Sequence, residues 1–193
     1  MSKPFSQPLS PFIINQKFGE NNACVTTDGT NKVINCDGLN PPKGYKSLYG
    51  KAGHTGLDLG AKHGQEVYCA CEGTVYFIDT QEKSGLDVRV ESIVDGVTYH
   101  HIYEHLLGYS KKVGDTVKTG ELIGWADNTG YSSGNHLHFQ VEQLIGKNWV
   151  KVDPLQLMTN DFARNILLMN DVIKYAKEVI ALLLDRSATK LRK

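Results

Sequence analysis

The sequence predicts a mainly β fold: an antiparallel β-sandwich or barrel-like domain followed by one C-terminal α-helix. Three observations carry this expectation. Between His54 and Pro154, short runs of β-branched and aromatic residues alternate with glycine-marked turns. Glycine is abundant, at 19 of 193 residues, which favours tight turns over long helices. Beyond Pro154 the apolar residues recur at steps of three and four instead of two.

Taken in order, residues 1–11 are rich in Pro and Ser and read as an extended segment. Phe12, Ile13 and Ile14 open a strand that ends near Gly19, and the main domain is expected over residues 12–158. Residues 20–50, rich in Asn, Gly, Pro and Lys, read as a surface insertion holding one short hairpin with its turn at Asp28-Gly29. Cys24 and Cys36 flank that hairpin and could face each other; whether they form a disulfide depends on the redox compartment, which stays open. Strands are expected at residues 66–70, 73–78, 87–91 and 97–103, with two shorter apolar runs inside 113–124. Cys69 and Cys71, two apart on a strand, are expected to be core thiols.

Residues 159–193 are expected to form a helix and basic tail. Phe162, Ile166, Met169, Ile173, Ala176, Ile180 and Leu183 make one apolar stripe, with Asn160 or Asp161 as cap. Such a helix either packs on the β domain or pairs with itself or another protein.

Lys+Arg and Asp+Glu balance at 21 each, so there is no basic surface to neutralise phosphates and no nucleic-acid partner is expected. No run of eighteen apolar residues exists, so no membrane span is expected.

Two clusters carry the chemistry. His54 and Asp58 stand four apart among Gly53, Gly56 and Gly60, where glycine lets the backbone bend two ligands onto one ion. Around His136 and His138, apolar and polar residues alternate: Leu137, Phe139 and Val141 face a core, and the two imidazoles share the opposite face, about 6.5–7 Å apart. That spacing suits one metal ligand and one group reaching a metal-bound water. Upstream, Tyr99, His101, Tyr103 and His105 share one strand face, so His101 or His105 supplies a further imidazole. Two His and one Asp suit a single Zn2+ ion with one coordination position left for water. There is no HExxH glutamate, so the histidines that are not ligands must move protons. His63 reads as a turn residue without a role, and His100 and His101 as structural or groove-lining.

Four stretches in order carry a resemblance: residues 53–58 (GHTGLD), 103–106 (YEHL), 113–124 (VGDTVKTGELIG) and 128–139 (NTGYSSGNHLHF). They resemble the lysostaphin/LytM-type zinc metallopeptidases, peptidase family M23. The resemblance implies a duplicated hybrid-motif β fold and peptidoglycan cross-link peptides as substrate. It implies His54, Asp58 and His138 as zinc ligands and His105 and His136 as catalytic histidines. A tyrosine before the first ligand assists the oxyanion in some members; Tyr49 is the nearest candidate, Tyr45 the next, and His101 a groove-lining one. Asn135 departs from the Pro or Ala usual beside this site.

The expectation is therefore a zinc endopeptidase that lyses cell wall. The rivals are a non-catalytic M23-like regulator, a virion structural or binding protein, and a phosphocarrier on a related fold. Residues 1–8 contain no apolar leader. We expect synthesis in a cytoplasm, a phage or prophage origin, delivery to the wall by a virion or by lysis, and a helix that docks in a phage assembly or self-associates.

Overall fold

The computed structural model describes residues 3–20, 53–162 and 171–181. Tyr45, Tyr49, Cys24, Cys36 and nearly all of the 20–50 insertion lie outside the described residues.

Among the described residues twelve strands follow in order: β1 Phe5–Gln7, β2 Ile14–Gln16, β3 Leu57–Gly60, β4 Gln65–Tyr68, β5 Gly73–Gln81 and β6 Gly85–Val94, then β7 Val97–Tyr109, β8 Thr116–Val117, β9 Leu122–Ala126, β10 His136–Ile145, β11 Asn148–Val152 and β12 Met158–Phe162. One ten-stranded sheet runs β2-β3-β10-β7-β6-β5-β8, with β11 on β10 and with β9 joining β4 to β7. Every pairing in it is antiparallel. Strand β7 is the spine. Its first part pairs with β6 and β10, and its last residues pair with β9. The mainly antiparallel β fold is thus as expected.

The core collects one face of these strands. Leu57, Leu59, Val67, Val75, Val88, Val90, Tyr103, Ile123, Leu137, Phe139 and Val141 are fully buried in a single cluster. Burying each aliphatic or Phe side chain contributes roughly 1.5–3 kcal/mol, and period-two alternation puts the polar partners of the same strands on the opposite face. Cys69 and Cys71 are buried free thiols in this core. Burial pushes both thiols up in pKa, so they remain protonated and inert.

Three features depart from the expectations. First, the N-terminal segment is more than extended: Phe5 and Leu9 are fully buried, and β1 pairs in parallel with β12. Residues 158–162 therefore form a strand, not the helix start expected around Asn160 and Asp161, because they complete a ladder with β1. Second, residues 171–181 are helical but exposed, with Val172, Ile173, Tyr175 and Ile180 each about half or more open, so the stripe is not packed on the domain there. Among the described residues no helix is long and apolar enough to cross a membrane.

Third, the strand face expected for His101 and His105 splits. Val88 pairs with Tyr103 but Leu86 pairs with Leu106, so β7 carries one extra residue. His105 absorbs it in a left-handed conformation, φ 63°. Up to Tyr103 the odd positions face the core; beyond the bulge Leu106 does, and His105 is turned out of the core phase. His101 stays in phase with Tyr99 and Tyr103. It is fully buried, bonded to Ser92 Oγ and Tyr103 Oη (2.8 Å each) and set edge-on to Phe5. It touches no solvent, which corrects its place among the groove-lining and oxyanion candidates and leaves the structural alternative.

Candidate metal centre and active site

The backbone brings both clusters onto adjacent strands. His138 on β10 is the cross-strand partner of Asp58 on β3 and of Glu104 on β7. His54 lies just before β3, where its backbone N–H donates to the Glu20 carbonyl and its carbonyl accepts from Gly19. Gly56 makes the approach possible: a Cβ there would lie 2.5 Å from the Phe139 carbonyl oxygen and 2.9 Å from His138 Nε2.

Three donor atoms converge. His54 Nε2 is 3.1 Å from His138 Nδ1 and 3.1 Å from Asp58 Oδ1, and His138 Nδ1 is 2.9 Å from Asp58 Oδ1. Donors placed tetrahedrally at 2.0–2.1 Å around zinc stand about 3.3 Å apart, so the triangle has nearly the right size. The outer nitrogens fix the tautomers. His54 Nδ1 donates to the Lys17 carbonyl oxygen (3.1 Å), and His138 Nε2 lies 3.4 Å from the Thr55 hydroxyl. With those protons outside, both inner nitrogens can turn a lone pair toward one ion; without an ion, protons on the inner nitrogens bond the Asp58 carboxylate instead. Burial alone would raise the Asp58 pKa, but hydrogen bonds from His138 and His54 hold it well below the usual carboxylate range. The side chains of His54 and His138 are nearly or fully buried, and Asp58 is partly so. These three residues are thus a donor set that fits one metal ion.

Two further imidazoles border the set. His136 Nε2 is 3.5 Å from Asp58 Oδ1. Its Nδ1 donates to the Gly134 carbonyl (2.8 Å), with Ser132 Oγ at 3.1 Å. His105 Nδ1 donates to the Thr129 carbonyl (2.7 Å), and its ring lies 4.7 Å from that of His136 and 6.1 Å from that of His138. In both, the bonded Nδ1 carries a proton and leaves Nε2 to face the site. Burial, then the neighbouring His136 and His138, push the His105 pKa down to about 4, so it is neutral at neutral pH.

A cleft of about 290 Å³ opens from His105 and His138, with Thr55, Ile102, Glu104, Gln140 and Glu142 along it and Lys83, Arg89, Tyr131 and Lys151 at its sides. Five expected residues, His54, Asp58, His105, His136 and His138, are brought together; His101 is not, and Tyr45 and Tyr49 lie outside the described residues. Glu104 and Arg89 were missed, although each occupies the polar phase of an alternating strand. His63, expected to be idle, pairs with Asp127 at 2.7 Å on the surface. His100 is stacked between Tyr76 and Trp149.

Lysostaphin from Staphylococcus staphylolyticus is 45% identical over 105 residues, 54% of this chain and 22% of lysostaphin. The glycyl-glycine endopeptidase ALE-1 of Staphylococcus capitis is 44% identical over 107 residues, 54% of this chain and 29% of ALE-1. The matched region therefore spans under a third of either relative. Among solved structures, the catalytic domain of lysostaphin from Staphylococcus simulans superposes with a TM-score of 0.50 at 32% identity, covering 55% of this chain and 80% of that domain. The model of peptidase family M23 matches residues 52–154, more than half of the sequence, and the chain belongs to that family.

Proposed function

We propose that this protein is a zinc-dependent endopeptidase that hydrolyses peptide cross-links of bacterial peptidoglycan, acting on the wall outside the membrane. The observation that carries the proposal is the placement of two backbone-anchored imidazoles, His105 and His136, beside a largely buried His-Asp-His donor set. Similarity to a glycyl-glycine endopeptidase supports a peptide substrate.

His54, Asp58 and His138 would hold the ion. When bound, zinc lowers the pKa of a coordinated water and polarises the scissile carbonyl. The chain's own groups do the rest. His105, uncharged above about pH 4, accepts a proton at Nε2 from the attacking water. His136, with its proton locked on Nδ1 by Gly134, presents Nε2 at the mouth of the site, where in its protonated form it donates to the developing oxyanion or the leaving amine. The sheet floor supplies a rigid cleft that orients an extended peptide past both rings.

The test is metal content together with wall digestion. Purified protein is expected to carry one zinc per chain and to release new amino termini from purified walls, identified by mass spectrometry. A chelator abolishes release and added zinc restores it. Zinc-loaded protein that binds walls without releasing amino termini would overturn the proposal in favour of a non-catalytic family member.

A further inference from the structure

The cleft floor can be laid out from strand register. Nearest the donor set, His138 faces Glu104 across β10 and β7. One step further stand Gln140, Ile102 and Arg89, and beyond them Lys151, Glu142, His100 and Glu91. All of these side chains occupy the face opposite the core, because Tyr103, Phe139, Val141, Val88 and Val90 alternate with them and are buried.

The charges on this floor are not equivalent. Arg89 is already committed: its Nη2 donates to Asp87 Oδ2 (2.8 Å), and its guanidinium lies over the Phe77 ring. Glu142 accepts from Gln140 (2.8 Å) and has Lys151 opposite it. Glu104 differs. It is half-buried and lines the cleft, yet none of the ion pairs or hydrogen bonds among the described residues engages its carboxylate. Behind it on β6, Asp87 is fully buried with Oδ1 unpaired. Glu104 is thus the carboxylate of this floor nearest the donor set, with Arg89 and Lys151 further along it and Lys83, next to the Ser84 that holds the His105 backbone, also lining the cleft.

We propose that Glu104 is a specificity-determining residue that selects substrates bearing a primary ammonium one residue from the scissile bond. This rests on the peptidase function proposed above. Directly opposed residues on antiparallel strands stand about 4.5–5.5 Å apart, close to the reach from a carbonyl at the donor set to an ammonium on the adjacent residue. A carboxylate that no hydrogen bond or ion pair among the described residues engages, and that only longer-range attraction links to Arg89 and His138, gains a charge-assisted bond when such a group arrives. The same ammonium has two sources in wall peptides: the free amino terminus of an uncapped bridge, or the side-chain amine of a diamino acid.

Two peptide pairs separate these sources: pentaglycine with a free or acetylated amino terminus, and Gly-Gly-Lys-Gly-Gly with a free or acetylated lysine side chain. Zinc-loaded wild-type protein is expected to favour the free amine of at least one pair by roughly tenfold in kcat/KM at low salt, with the preference shrinking in 0.5 M salt. The pair that shows it names the source. In Glu104→Gln the ratio within that pair is expected to fall to near one, and in Glu104→Lys to invert. Equal turnover within both pairs by wild type, or a preference that survives Glu104→Gln, overturns the inference. If neither pair is cleaved while zinc is bound, the peptidase proposal fails for these peptides. Calorimetric affinities of the free and acetylated forms then decide the Glu104 inference by the same ratio.

Discussion

His105 and His136 are tied to one residue, Asp127. The Asp127 N–H donates to the His105 carbonyl (3.0 Å), and the Asp127 carbonyl accepts from the His136 N–H (3.1 Å). Two residues distant in the chain thus have their backbones set by a single residue, and their rings meet at 4.7 Å. Fixing both rings from the backbone leaves each free nitrogen pointing where the donor set needs it.

His138→Ala should remove one corner of the donor triangle and leave His54 and Asp58 facing each other. Bound zinc and wall hydrolysis are expected to disappear together, with activity down at least 10²-fold. Metal analysis beside turbidity clearing checks this; a variant that keeps stoichiometric zinc would remove His138 from the ligand set.

His136→Ala should behave differently, because its ring lies beside the set and not in it. Zinc content is expected to persist while kcat falls roughly 10²–10⁴-fold, the usual weight of a general acid-base group. Loss of zinc in this variant would mean that the ring also serves as a ligand.

Gly56→Ala would drive a methyl to within 2.5 Å of the Phe139 carbonyl oxygen and 2.9 Å of His138 Nε2. Neither strand can retreat without disturbing the ladder between β3 and β10. A loss of roughly 2–4 kcal/mol is expected, visible as a lower urea midpoint, together with weaker zinc retention. An unchanged midpoint would show that this approach is looser than it looks.

Acid should destabilise the fold through His101. Burial, then the neighbouring His100, push its pKa down to about 3. Unfolded, it takes up a proton as pH falls through about 6.5. Between those values protons favour the unfolded chain, so the contribution is complete above about 6.5 and is lost as pH drops toward 3. A few kcal/mol is at stake, measured as urea midpoints from pH 7.5 to 4. His101→Gln is expected to flatten that slope; a slope of equal steepness would assign it to other groups.

Truncation after Phe162 keeps the β1–β12 ladder and removes the exposed helix. The melting temperature is expected to move by less than about 2 °C, since surface-exposed residues contribute little to the core. A cut at residue 158 instead takes β12 away and uncovers Phe5, so it is expected to lower the melting temperature sharply. Equal effects of the two cuts would deny β12 its structural part.

Composition, glycine turns and the alternation around His138 were enough to predict an antiparallel β domain and to single out His54, Asp58, His136 and His138, while His105 was preferred to His101 only through the resemblance of residues 103–106 to family M23. Local periodicity is a property of the chain itself, because burial demands it strand by strand. What the tertiary structure alone decided was phase and partnership. The extra residue at His105 turns that ring out of the core phase while leaving His101 buried, and nothing in the run of residues 99–105 marks where the alternation breaks. The pairing of β1 with β12 joins segments more than 150 residues apart, so no local pattern announces it. Glu104 is one more polar strand residue until register sets it opposite His138. Such contacts exist only once distant strands align, and register is settled by the packing of the whole core.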